Sequence, residues 1–146
     1  MTTSEGDSPG RWAARYQSYG LHGAHATAPG FVVLPLVGAL SVVNTPGEFG
    51  VRVLAELEGR GRPGPVLARR RPARCAFLVI YDGALETVVS SCLERRGVCV
   101  GPHRSNVILP TGFGPVTKEN RYWLRPPNGE PLPPLSAIVE AVVDCL

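Results

Sequence analysis

The sequence predicts an α+β domain, and three observations predict it. Residues 38 to 109 alternate hydrophobic patterns in the order strand, helix, strand, strand, helix, strand. Two of those segments carry apolar residues at helical spacing: Phe49, Val53, Leu54 and Leu57 in one, Leu85, Val88, Val89, Cys92 and Leu93 in the other. A third, Arg74–Tyr81 (RCAFLVIY), is almost continuously apolar, as expected of a strand in the middle of a covered sheet. This order is that of a split βαβ, or ferredoxin-like, core, an antiparallel sheet with both helices on one face. An added N-terminal helix, extra strands and a C-terminal helix complete a single domain over residues 9–146, behind a polar tail at 1–8 that is expected to be disordered.

Each element has a local reason. Ser8-Pro9 opens the first helix, and Trp12, Tyr16 and Tyr19 recur at i, i+4 and i+7 before Gly20 stops it. Phe31–Val37 reads as a strand that Pro35 pushes toward a sheet edge, and Gly38–Val43 as a second strand or its continuation. Thr45-Pro46-Gly47-Glu48 has the form of a capping box with Pro at the first helical position, and Gly59 ends the helix it starts. A linker rich in Arg, Gly and Pro leads to a short strand at Pro65–Ala68 and then to the RCAFLVIY strand. Asp82-Gly83 turns the chain into the next helix, which stops at Gly97. Asp82 and Glu86 are read as caps there, because a helix N-terminus favours negative charge. Short strands follow at Val98–Val100, Asn106–Leu109 and Arg121–Arg125, and Ser136 is expected to cap a last helix with Ile138, Val139, Val142 and Val143 inward. Phe77, Val79 and Tyr81 share one strand face by alternation, and burial under the N-terminal helix is expected for them rather than base stacking on an open sheet.

Composition bounds the function. At 146 residues, 44% hydrophobic and 18% charged, the chain supports one real core, and general disorder is excluded. The longest apolar stretch, Phe31–Val43, is interrupted by Pro35 and Gly38 and is too short to span a bilayer. The N-terminus shows no basic region followed by an apolar one, so a cytoplasmic protein without membrane association is expected. The net charge of +3 comes from 14 Arg and one Lys (Lys118) against 12 carboxylates. Between Gly59 and Cys75 stand Arg60, Arg62, Arg69, Arg70, Arg71 and Arg74 with no acid among them. Such a segment is a candidate nucleic-acid contact, because each neutralised phosphate releases counterions. Fewer than six are expected to engage together, since Arg60 and Arg62 precede the Pro65–Ala68 strand while Arg69–Arg71 follow it.

Cys75, Cys92, Cys99 and Cys145 have no pair at the two-residue spacing of a zinc knuckle or redox dithiol. Buried, reduced thiols are expected, with no cofactor and no metal. The alternative is a small enzyme or metal-dependent site built from Cys99, His103, His22 and His25, with His103 four residues after Cys99. No Gly-rich phosphate loop with its Lys and no Gly-x-Ser-x-Gly nucleophile turn occurs.

One stretch carries a resemblance. Residues 106–127, NVILPTGFGPVTKENRYWLRPP, run as a strand ending in a proline-containing turn, a Gly-rich loop, and a returning strand marked by Arg121, Tyr122 and Trp123. This resembles the late motif of bifunctional primase–polymerase (prim-pol) N-terminal domains. Upstream, ALSVVNTPGEFGVRVLAEL (39–57), Gly64-Pro65-Val66 and CAFLVIY extend the likeness over residues 31–127, which is similar to small prim-pol-like proteins of actinobacteria. The resemblance implies an RRM-like βαββαβ core. In that family an Asp-x-Asp pair and a third acid hold two divalent metals; those positions fall here at Asn44, Pro46 and about Cys99, and the family's His falls near Arg74 or Cys75. Residues 31–47 contain no acid at all, and magnesium requires hard anionic oxygens. The resemblance therefore implies a degenerate active site. A non-catalytic accessory or regulatory module is expected, with a nucleic acid, a nucleotide or another protein as partner.

Overall fold

The computed structural model describes residues 8–28, 30–83, 87–101 and 104–146. Ser8 caps α1 (Pro9–Ser18), its hydroxyl accepting from the Arg11 amide at 3.4 Å, and Pro9 takes the first helical position. Two short strands follow, β1 (His25–Thr27) and β2 (Phe31–Pro35), and then β3 (Leu40–Pro46), α2 (Gly47–Gly59), β4 (Val66–Arg70) and β5 (Ala73–Ile80). The chain continues through α3 (Thr87–Arg95), β6 (Cys99–Val100), β7 (Asn106–Leu109), β8 (Tyr122–Arg125) and α4 (Leu135–Cys145). Gly97 ends α3 in the left-handed conformation, φ 78°, which lets the Val98 amide reach back to the Leu93 carbonyl at 2.9 Å. Of the expected tail at residues 1–8, Ser8 is instead the α1 cap, while residues 1–7, like Leu85, Glu86 and the side chain of Val88, lie outside the described residues.

The α+β class is observed. Five strands form one antiparallel sheet in the order β6-β3-β5-β4-β8, with the apolar β5 at its centre. Within it β3-α2-β4 and β5-α3-β6 interleave, each placing one strand between two of the other, as the split βαβ plan requires. Val43, Val66, Cys75, Phe77 and Val79 point to one face and form a core with Val53, Leu54 and Leu57 of α2, Leu93 of α3, and Ile138, Ala141 and Val142 of α4.

A second sheet, β1-β2-β7, covers the other face. Val42, Leu67, Leu78 and Trp123 alternate to that side, where they pack with Val32 and Leu34 of β2, Leu109 of β7, and Trp12, Ala13 and Tyr16 of α1. The central sheet is thus covered on both faces, which explains the unbroken apolar run of β5. Phe77 and Val79 are therefore not under α1. They face α2 and α4, while the alternate residue Leu78 faces α1, and Tyr81 stands 36% exposed beyond the end of β5.

Three local readings are corrected. Thr45 does not cap α2: it is buried in β3 opposite Cys75, so the sheet continues through Pro46 and Pro46 itself is the N-cap. Ser136 does not cap α4, whose N-cap is Pro134. Instead Asp82, just past β5, accepts from the Ser136 amide at 3.0 Å and from its hydroxyl at 2.5 Å, so this carboxylate caps α4 from across the fold. Val143, expected inward, is 47% exposed.

Candidate functional site

The β4–β5 hairpin places Arg69 directly opposite Arg74. Both belong to the face turned toward the second sheet, since Leu67 and Leu78 on the same alternation pack there. Like charges directly opposite across antiparallel strands repel, so the pairing stands against stability unless an anion joins it. One row further, Asn44 of β3 lies opposite Ala76, and Ala76 opposite Leu67. The single methyl of Ala76 leaves open space above the sheet.

That space is a cleft of about 270 Å³. Its floor is Val42, Asn44, Leu67 and Ala76; Leu36, Ser105, Asn106 and Val107 wall it from the second sheet; and Arg69, Arg74 and Arg121 carry its charge. No carboxylate lines it among the described residues. Arg121 reaches it from the turn before β8, its Nε donating to the Glu119 carbonyl at 3.2 Å and one terminal nitrogen to the Ile108 carbonyl at 3.4 Å. Burial, and after it the charge of Arg69, pull the Arg121 pKa down, against an opposing pull from Glu119. The Glu119 carboxylate is held by the Thr111 amide at 3.0 Å and the Thr111 hydroxyl at 2.7 Å.

The six arginines singled out by the sequence separate into two groups. Arg60 is bound to acids, at 2.7 Å from Glu56 and 3.3 Å from Glu140, with Asp144 as its closest partner and the first cause of its raised pKa. Three carboxylates thus neutralise a residue that its own segment leaves unpaired. Arg62 lines a separate depression with Leu57, Ser136 and Glu140, beside α4. Arg69 and Arg74 line the cleft, and a terminal nitrogen of Arg74 donates to the Gly97 carbonyl at 3.5 Å. Arg70 lies 4.6 Å over the Tyr122 ring and donates to the Pro115 carbonyl at 2.7 Å, and Arg71 is exposed in the turn of the hairpin. Arg121 escaped the sequence reading because no charge run surrounds it. Only the β4–β8 pairing of Ala68 with Tyr122 sets it beside Arg69.

The positions that the resemblance matches to metal-binding acids are neighbours on the sheet: Asn44 is opposite Cys99, and Pro46 is opposite Arg74. The thiols differ from expectation. Cys75 is buried, its pKa pushed up chiefly by that burial, and its thiol contacts the Gly47 carbonyl at 3.6 Å. Cys92 and Cys99 are exposed, because Cys92 falls on the solvent side of α3 and β6 is an edge strand. His22 and His25 are exposed around β1, at the edge of the other sheet, and His103 lies outside the described residues. No group of three or more His, Cys, Asp or Glu suited to a metal ion exists among the described residues. Among them, too, no helix is long and apolar enough to cross a membrane. In comparisons with known proteins, no family model, curated protein or solved structure matches the chain.

Proposed function

We propose that the protein is a non-catalytic, prim-pol-like accessory or regulatory module that binds nucleic acid by its phosphates, with Arg69, Arg74 and Arg121 as the contacts. The observation that carries this reading is that three arginines line one cleft whose described lining holds no carboxylate. A guanidinium presents a planar fork of donors that meets two phosphate oxygens at once. Arg70 and Arg71, on the same hairpin, extend the positive field beyond the cleft. The non-catalytic part rests on Asn44, Pro46 and Cys99, none of which supplies the anionic oxygens that metal-assisted nucleotidyl transfer needs. A cytoplasmic setting, which keeps four unpaired thiols reduced, fits the same reading.

Phosphate contacts carry little sequence information, so binding tolerates sequence. The test is a titration of labelled mixed-sequence oligonucleotides at low salt. Replacing Arg69 and Arg74 together by Gln weakens binding about a hundredfold or more, since each charge-assisted bond contributes about 1.5–3 kcal/mol. Replacing Arg60 and Arg62 leaves it within about twofold, because Arg60 is already neutralised. A wild type that fails to bind at low salt, or a cleft variant that binds equally well, removes this reading.

A further inference from the structure

We infer that the cleft is a metal-independent receptor for a phosphomonoester dianion, so that it takes a terminal phosphate rather than the phosphodiesters inside a strand. The inference deepens the nucleic-acid reading and rests on the same three arginines.

Charge is the first argument. Arg69, Arg74 and Arg121 bring three positive charges to one cleft, with no carboxylate in its described lining to offset them. A phosphodiester brings a single negative charge, whereas a phosphomonoester brings about −1.5 to −2 at neutral pH and three acceptor oxygens. Three such oxygens can be shared among the free fork of Arg69 and the donors that Arg121 and Arg74 keep beside their bonds to the Glu119, Ile108 and Gly97 carbonyls. The apolar lining of Leu36, Val42, Leu67 and Val107 keeps the local dielectric low, which strengthens each of these contacts.

Shape is the second. The cleft is bounded below by β3, β5 and β4 and on one side by Leu36 and residues 105–107, and its volume of about 270 Å³ lies at the small end for ligand sites. A phosphate inside a strand must leave room for chain in two directions, whereas a terminal phosphate needs only one. The neutral polar groups of Asn44 and Asn106 border the space next to the arginines, where the sugar of a terminal nucleotide would sit.

Repulsion at the site acts in the same direction. Arg69 stands opposite Arg74 across the hairpin, and burial, then the charge of Arg69, lower the pKa of Arg121, so a dianion in the cleft relieves both desolvation and repulsion. Ligand binding therefore stabilises the fold through linkage.

The experiment measures binding to the full chain in the presence of a chelator, with four probes: adenosine 5′-monophosphate, 3′,5′-cyclic adenosine monophosphate, and one single-stranded oligonucleotide with either a 5′-phosphate or a 5′-hydroxyl. The monophosphate is expected to bind about tenfold more tightly than the cyclic diester, and the chelator has no effect. A phosphorylated strand that outcompetes both its hydroxyl form and the free monophosphate identifies a strand end as the source, and a monophosphate that outcompetes both strands identifies a free nucleotide. Arg69→Gln abolishes the preference while leaving the ligand-free melting temperature unchanged or higher, because it removes a repulsive pair. Asn44→Asp, which adds an acid to the floor, weakens the monophosphate about tenfold. Equal binding of monoester and diester, or of the two strands with the free monophosphate also unbound, overturns the inference while leaving nucleic-acid binding intact. Monophosphate binding without strand binding removes the nucleic-acid reading and keeps the inference. Failure of every probe to bind overturns both.

Discussion

The Tyr16 hydroxyl joins three separate parts of the chain. It donates to the Pro110 carbonyl after β7 and accepts from the Trp123 indole nitrogen of β8 at 2.9 Å, all in a fully buried setting. Burial holds the phenol pKa well above its ordinary value, so the group acts only as a neutral hydrogen-bonding hub. Removing the hydroxyl in Tyr16→Phe leaves a buried donor and a buried acceptor unpaired, and a loss of about 1–3 kcal/mol is expected. Denaturant unfolding measures it, and an unchanged midpoint would show that the hub carries no stability. At this scale the sequence is only partly legible. Arg69 and Arg74 stand out in a charge run, but two of the three acids that absorb Arg60, Glu140 and Asp144, come from a helix 80 and 84 residues further on, and Arg121 enters the cleft through strand pairing alone.

Among the elements, helix ends are where local motif and observed structure part. Thr45-Pro46-Gly47-Glu48 spells a cap, yet Thr45 is taken by the ladder with β5, and the pairing of seven consecutive residues of β3 outweighs a single side-chain bond. Gly50 belongs to the same junction: a Cβ there would come within 2.5 Å of the Thr45 hydroxyl and 2.7 Å of the Cys75 sulfur, so the bare backbone lets α2 lie against the sheet. At the other end, the bridge between Ile80 and Pro134 brings the start of α4 beside the end of β5, where Asp82 caps it. The Ser136 hydroxyl, and then its amide, hold the Asp82 pKa below the usual carboxylate value. A carboxylate with a lowered folded pKa contributes stability that is fully present above its unfolded pKa of about 3.9 and is lost as pH falls through the folded value. Melting temperatures from pH 6 down to pH 2.5 are expected to fall less steeply below pH 4 for Asp82→Asn than for wild type. Parallel curves would mean that the cap contributes nothing at α4.

Across the whole molecule, the interleaved β3-to-β6 core was legible because each of its elements carries its own periodicity and its connections are short. The covering sheet was not. Its strands β2 and β7 pair antiparallel over Val32–Pro35 and Asn106–Leu109, a contact between distant segments that no local pattern announces. The consequence for function is direct. With that sheet and α1 packed over Leu67, Leu78 and Trp123, the face of the central sheet is closed to base stacking except where Ala76 and the facing arginines keep the cleft open. The proposed binding by phosphate charge needs no open sheet face. The most direct measurement of this claim is the salt dependence of single-strand affinity. If Arg69, Arg74 and Arg121 pair with phosphate charge, log affinity falls as log salt rises, and the slope becomes clearly shallower when Arg69 and Arg74 are replaced by Gln. A slope that the replacement leaves unchanged would contradict the assignment of binding to the cleft.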